Sequence, residues 1–108
     1  MRLLRELPGG RTIEAFGSAA ASVTGLSRDV RQVVVIRIGA GGHLGRHPAV
    51  CEQLFLVIEG SGWVTGQDGE RVPIATGEAA VWTEGEEHES GTDEGMAALV
   101  VEAESFDV

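Results

Sequence analysis

The residues of this chain best suited to chemistry are its three histidines, His43, His47 and His88. His43 and His47 lie in a glycine-rich stretch, GGHLGRHPAVCEQLFLVIEGSG over 41–62. It runs into an unbroken apolar segment, Leu54 to Ile58, and stops at Glu59-Gly60-Ser61-Gly62. His88 lies in a second stretch, TGEAAVWTEGEEHESGT over 76–92, built the same way: Gly77, a short apolar run, Gly85 and then the histidine. Imidazole ligates metals and exchanges protons near neutral pH. Histidines carried on loops that enter apolar strands therefore suggest ligands at the mouth of a β-barrel, with the two stretches as halves of one site.

The elements that must position them read as strands. Arg31 to Ile38, RQVVVIRI, is β-branched and ends in Gly39-Ala40-Gly41-Gly42. In Gln53 to Glu59 the alternation puts Gln53, Phe55 and Val57 on one face and Leu54, Leu56 and Ile58 on the other. Both faces are apolar, so the barrel interior must cover one, and the N-terminal segment or a second subunit the other; on this ground a homodimer is expected. Gly62 to Gly66 and Arg71 to Ile74 form a hairpin about Asp68-Gly69. Glu78 to Thr83, a short strand around His88, and Met96 to Ala103 complete the set. Thr12 to Phe16 and Ser22 to Leu26 are weaker strand candidates, and Ser18 to Ser22, flanked by Gly17 and Gly25, is too short to sustain a helix. The expected organisation is one all-β domain: residues 1–30 as an arm and edge strands, 31–103 as the core, and 104–108 as a mobile tail on which Phe106 could dock.

Charge narrows the partners. The net charge is -9, the eight basic residues are all arginine, and the absence of lysine excludes Schiff-base chemistry through a lysine. The acid-rich, arginine-free segment from Glu78 to Val108 should repel phosphate backbones and anionic lipid, so neither nucleic acid nor a membrane surface is an expected partner. A single cysteine, Cys51, has no internal disulfide partner. No run approaches the roughly 18 apolar residues of a membrane span, and the first residues lack the apolar core of a signal peptide. A cytoplasmic protein is the expectation.

Over residues 31–103 the chain resembles the cupin superfamily, small jelly-roll barrels, and among them the small single-domain RmlC-like kind, without a functionally defined subfamily. The first cupin motif joins a glycine, a His-x-His pair, a glutamate and a second glycine. Gly39, His47 and Gly60 match it, whereas Gly45 stands in place of the first histidine and Gln53 in place of the glutamate, one residue further along than usual. In the second motif Gly77, Gly85 and His88 match, with Thr83 for the proline and Thr92 for the asparagine. The resemblance implies a double-stranded β-helix, or jelly-roll barrel, with a site inside it.

The resemblance also implies a ligand set for one divalent transition metal (Zn, Ni, Fe or Mn): His47, Gln53 and His88, with His43 as a candidate to replace the missing first histidine, since 43, 45 and 47 share a face of an extended segment. A neutral amide in place of a carboxylate lowers the expected affinity. Read without a metal, His43 is a solvent histidine, and His47 and His88 bond each other or Gln53. Phe55, Trp63 and Trp82 are the candidate pocket walls, the two tryptophans reading equally as core. Glu86, Glu87 and Glu89 beside His88 could tune its proton, or form an exposed turn. The function implied is small-molecule binding in the barrel, either with a metal, as an isomerase, cyclase or dioxygenase, or without one, as a ligand-binding or sensor protein. A metal-free sugar epimerase ranks below both, because the chain has no tyrosine to serve as its acid. The catalytic residues are unknown at this level.

Overall fold

The computed structural model describes residues 1–108; it contains ten strands, one 3-10 turn at Ala15–Gly17 and no α-helix. In chain order the strands are β1 (Arg2–Leu4), β2 (Arg11–Ile13), β3 (Ala21–Val23), β4 (Ser27–Ile38), β5 (His43–Pro48), β6 (Glu52–Thr65), β7 (Val72–Ala75), β8 (Ala79–Trp82), β9 (Glu87–Gly91) and β10 (Met96–Phe106). The all-β, double-stranded β-helix reading holds.

Strand β6 organises the molecule because its two halves belong to different sheets. Its first half lies between β8, with Gln53 opposite Trp82, and β10, with Gln53 opposite Glu102. This gives the order β1-β8-β6-β10-β4. Its second half lies between β7 and β9, and β9 in turn pairs with β5. The strand therefore does not stop at Glu59-Gly60, as its sequence suggests, but turns the corner there. Gly60 makes the corner with φ 75°, and the pairing with β10 shifts register beside it.

Side-chain alternation then sorts the residues into an inside and an outside. Phe55, Val57, Val64, Ile74, Trp82 and Val100 fill the interior between the sheets. On the outer face Leu54, Ala79 and Val81 form a second cluster, covered by Leu4 and Leu7 from the N-terminal segment and by Phe106 and Val108. Full burial of an aliphatic side chain contributes about 1.5–3 kcal/mol, so the short β1, antiparallel to β8, is a structural cover. The apolar outer face of β6 is thus met largely within the chain, although Ile58 remains 46% exposed. The last residues are strand as far as Phe106, where the sequence suggests a tail from Glu104; an antiparallel partner in β4, with Phe106 opposite Ser27, holds them. The β2–β3 hairpin forms a separate two-stranded sheet. No helix is long and apolar enough to cross a membrane.

Candidate functional site

Strand β4 pairs only with β10 and strand β5 only with β9, so each has an unpaired edge. Between them lies a cavity of about 250 Å³. Val34, Ile36, Leu44, Phe55, Trp82 and Val100 supply its apolar walls, and its polar lining is His47, His88, Ser90, Gln53, Gln32 and Glu102. His47 and Gln32 are the exposed members of this lining, so they mark the mouth.

A β-bulge brings the histidines together. On β5, Leu44 is opposite Ser90 and His47 is opposite His88, so Gly45 and Arg46 together face the single residue Glu89. The extra residue reverses the alternation, and Leu44 and His47 both point inward. Without it, the inward positions after Leu44 would be Arg46 and Pro48. The same bulge leaves His43 outside: it pairs with Gly91 at the start of β5, is exposed, and does not line the cavity. The shared face expected for 43, 45 and 47 is therefore not formed, because Gly45 and Arg46 interrupt the extended backbone.

The two imidazoles lie with ring centroids 4.4 Å apart, tilted at 55°. His88 is 4% exposed and stacks on Trp82 at 4.3 Å and 28°. Trp82 is held in turn by an edge contact with Phe55 and by its Nε1–H, which donates to the Thr65 carbonyl at 3.0 Å. His47 Nδ1 lies 2.7 Å from the Gly45 carbonyl oxygen, and His88 Nδ1 lies 3.1 Å from that of Glu86. A carbonyl oxygen only accepts, so each Nδ1 carries the proton and each neutral ring keeps its lone pair on Nε2. Neither Nε2 has a partner within the protein; since no buried side-chain nitrogen or oxygen is left unsatisfied, that of the buried His88 meets accessible space, and His47 is itself exposed at the mouth.

Burial, above all, holds the His88 pKa below the ordinary histidine value of 6.5; the neighbouring His47 pushes the same way, while the Glu86 carbonyl and the Glu86 and Glu87 carboxylates oppose it. The folded state disfavours this proton. Its contribution to stability is therefore complete above the unfolded value and is lost as pH falls through the lower folded one. Urea denaturation at about pH 7.5 and 5.5 should show a larger fall for the native sequence than for His88→Phe; equal falls would contradict this.

Gln53 reaches the cavity from the opposite sheet, its amide nitrogen donating to Glu102 Oε1 at 3.3 Å. Its carbonyl oxygen thus remains available. These residues fit a loosely held divalent ion, for which two imidazole nitrogens and one amide oxygen are suitable donors. They supply no anionic ligand, and no group of three or more His, Cys, Asp or Glu converges on one position. Of the candidate walls, Phe55 and Trp82 line the cavity. Trp63 does not: it faces the other way on β6, with the Arg71 guanidinium carbon 3.8 Å from its ring centroid and Gly91 against its edge.

Sequence reasoning missed Glu102 and Gln32, although the signal was present. In MAALVVEA, Ala98, Val100 and Glu102 share one strand face, and in RQVVVIRI so do Gln32, Val34 and Ile36. A polar residue in phase with a core stripe marks an inward polar position.

A sequence model described as the cupin domain matches residues 32–102. No curated protein matches the sequence. Among solved structures, the chain is similar to an uncharacterised conserved protein with a double-stranded β-helix domain from Klebsiella pneumoniae (22% identity, TM-score 0.61, covering 77% of this chain and 80% of that one). It is also similar to a polyketide cyclase from Streptomyces resistomycificus (24% identity, TM-score 0.63, covering 75% and 59%). A salicylate 1,2-dioxygenase from Pseudoaminobacter salicylatoxidans is a third neighbour (20% identity, TM-score 0.62, covering 66% and 20%). At these identities the likeness is one of fold.

Proposed function

Because the chain belongs to the cupin family, we propose that its barrel cavity binds one small organic molecule, with His47 and His88 as the polar head of the site. One observation carries this reading: two imidazoles from the paired strands β5 and β9, each with an Nε2 that has no partner in the protein, line a cavity whose other walls are largely Phe55, Trp82 and aliphatic side chains. A concave, mostly apolar space with a few convergent polar groups is the usual form of a ligand site. At about 250 Å³ it lies below the roughly 300–1,000 Å³ of sites for drug-sized molecules, so the ligand is compact. The cyclase and dioxygenase neighbours show that barrels of this shape serve small-molecule enzymes, which supports the reading. The test is a fragment screen by ligand-observed NMR. Hits should lose about tenfold or more in affinity in both His47→Ala and His88→Ala, the cost of losing one buried hydrogen-bond partner. Unchanged affinity in both folded variants would overturn the proposal.

A second reading adds a divalent transition metal (Zn, Ni, Fe or Mn) held by His47, His88 and Gln53. The fixed tautomers favour it, since an imidazole that donates from Nδ1 to a carbonyl is oriented to ligate through Nε2. A bound ion would polarise a carbonyl or enolate as a Lewis acid or provide redox chemistry toward O₂, the range of an isomerase, cyclase or dioxygenase. Elemental analysis of untagged protein, as purified and after exposure to each metal, should show near-stoichiometric uptake that either alanine variant abolishes. No uptake under any of these conditions would leave the metal-free binding protein.

A further inference from the structure

We infer that the cavity selects for a small molecule with a cationic nitrogen, an ammonium or amidinium group on a compact apolar body, and that Glu102 is the residue that receives it. This rests on the cavity being a ligand site at all, and adds the charge of what it takes.

The inference follows from the polarity of the lining. Glu102 is the only acid among the cavity residues, and none of the eight arginines lines the space. It sits in register between Gln32 on β4 and Gln53 on β6, forming a polar row across three strands on the wall opposite the histidines. Its one conventional hydrogen bond comes from the Gln53 amide to Oε1. Oε2 accepts only from the Cys51 thiol, a weak donor at 3.9 Å. Glu102 takes part in none of the four ion pairs; Arg31, which precedes Gln32 on β4, pairs with Glu104 instead. A half-buried carboxylate without a cation is costly unless something compensates it. The other polar groups of the lining bring no positive charge: the two Nε2 atoms and the Gln53 carbonyl are acceptors, and Ser90 and Gln32 are neutral groups that donate as well as accept. One carboxylate and no cation in the lining favour a ligand that carries a positive charge over one that carries a free carboxylate.

Three compounds of one shape separate the possibilities: benzamidine as the cation, benzamide as the neutral form and benzoate as the anion. Their affinities would be measured by NMR on chelator-treated protein, so that no metal recruits the anion, following the Trp82 indole resonance. Benzamidine should bind about tenfold or more tighter than benzamide, a factor equal to 1.4 kcal/mol and within reach of a charge-assisted hydrogen bond, with benzoate weakest. Glu102→Gln should weaken benzamidine far more than benzamide and so remove the preference for the cation. Benzoate binding as well as benzamidine, or a preference that survives Glu102→Gln, would overturn the inference and leave the ligand site standing. If none of the three perturbs the cavity at millimolar concentration, the ligand-site reading falls, and this inference with it. Should Glu102→Gln fail to fold, the order of the three affinities on the native sequence decides alone.

Discussion

Replacing Trp82 with alanine should cost about 3–5 kcal/mol of folding stability, the range for deleting a buried aromatic side chain. The residue is 1% exposed, and its ring fills the space between His88 at 4.3 Å and Phe55 at 5.8 Å. Truncation would open a void at the cavity floor and leave the Thr65 carbonyl without the indole donor that now reaches it at 3.0 Å, a loss of about 1 kcal/mol within that range. Domains of this size hold only about 5–15 kcal/mol in reserve, so the variant should unfold at a much lower urea midpoint with an unchanged slope. Trp82→Phe should retain most of the stacking and cost less. Where Trp82→Ala remains folded it should also bind fragments poorly, because His88 has lost the surface that fixes its ring. A loss below about 1 kcal/mol would mean that the ring is not packed as described.

Gly60→Ala should be nearly as damaging. The residue turns β6 from one sheet into the other at φ 75°, where a side chain costs about 1–2 kcal/mol. A β-carbon there would also collide with the Gly95 carbonyl oxygen and crowd the Met96 backbone on β10, and relieving an overpacked contact typically costs a further 1–3 kcal/mol. Neither neighbour can swing aside as a flexible side chain would. Urea denaturation should show the combined loss, whereas Gly39→Ala, with nothing near the added carbon, should be close to neutral. Equal effects at the two glycines would contradict this account of the corner.

How much of this was legible in the sequence varies by feature. The central strands were readable because β-branched runs between glycine turns have no other good solution. The two cupin motifs carried the order of the barrel, and the pairing of His47 with His88 followed from them. The limits came from register. The bulge at Gly45 and Arg46, which turns His47 inward and leaves His43 outside, adds one residue to one strand and has no signature in alternation alone. The same kind of local break, at Gly60, made one long strand look like two. Trp63 and Trp82 have similar surroundings in the sequence, yet face opposite ways because they occupy opposite phases of the halves of β6 and β8. Glu102 could have been found, since it stands in phase with Ala98 and Val100, but its strand read as closure of the sheet.

The central claim, that His47 and His88 offer Nε2 lone pairs to a ligand in the barrel, is tested most directly by long-range ¹H–¹⁵N correlation spectra of the imidazoles, recorded on chelator-treated protein with and without a saturating fragment. Both rings should carry the proton on Nδ1, bonded to the Gly45 and Glu86 carbonyls, and both Nε2 resonances should move on saturation while those of His43 stay in place. A proton on Nε2 in either ring, or Nε2 signals that a bound fragment leaves unmoved, would contradict the site.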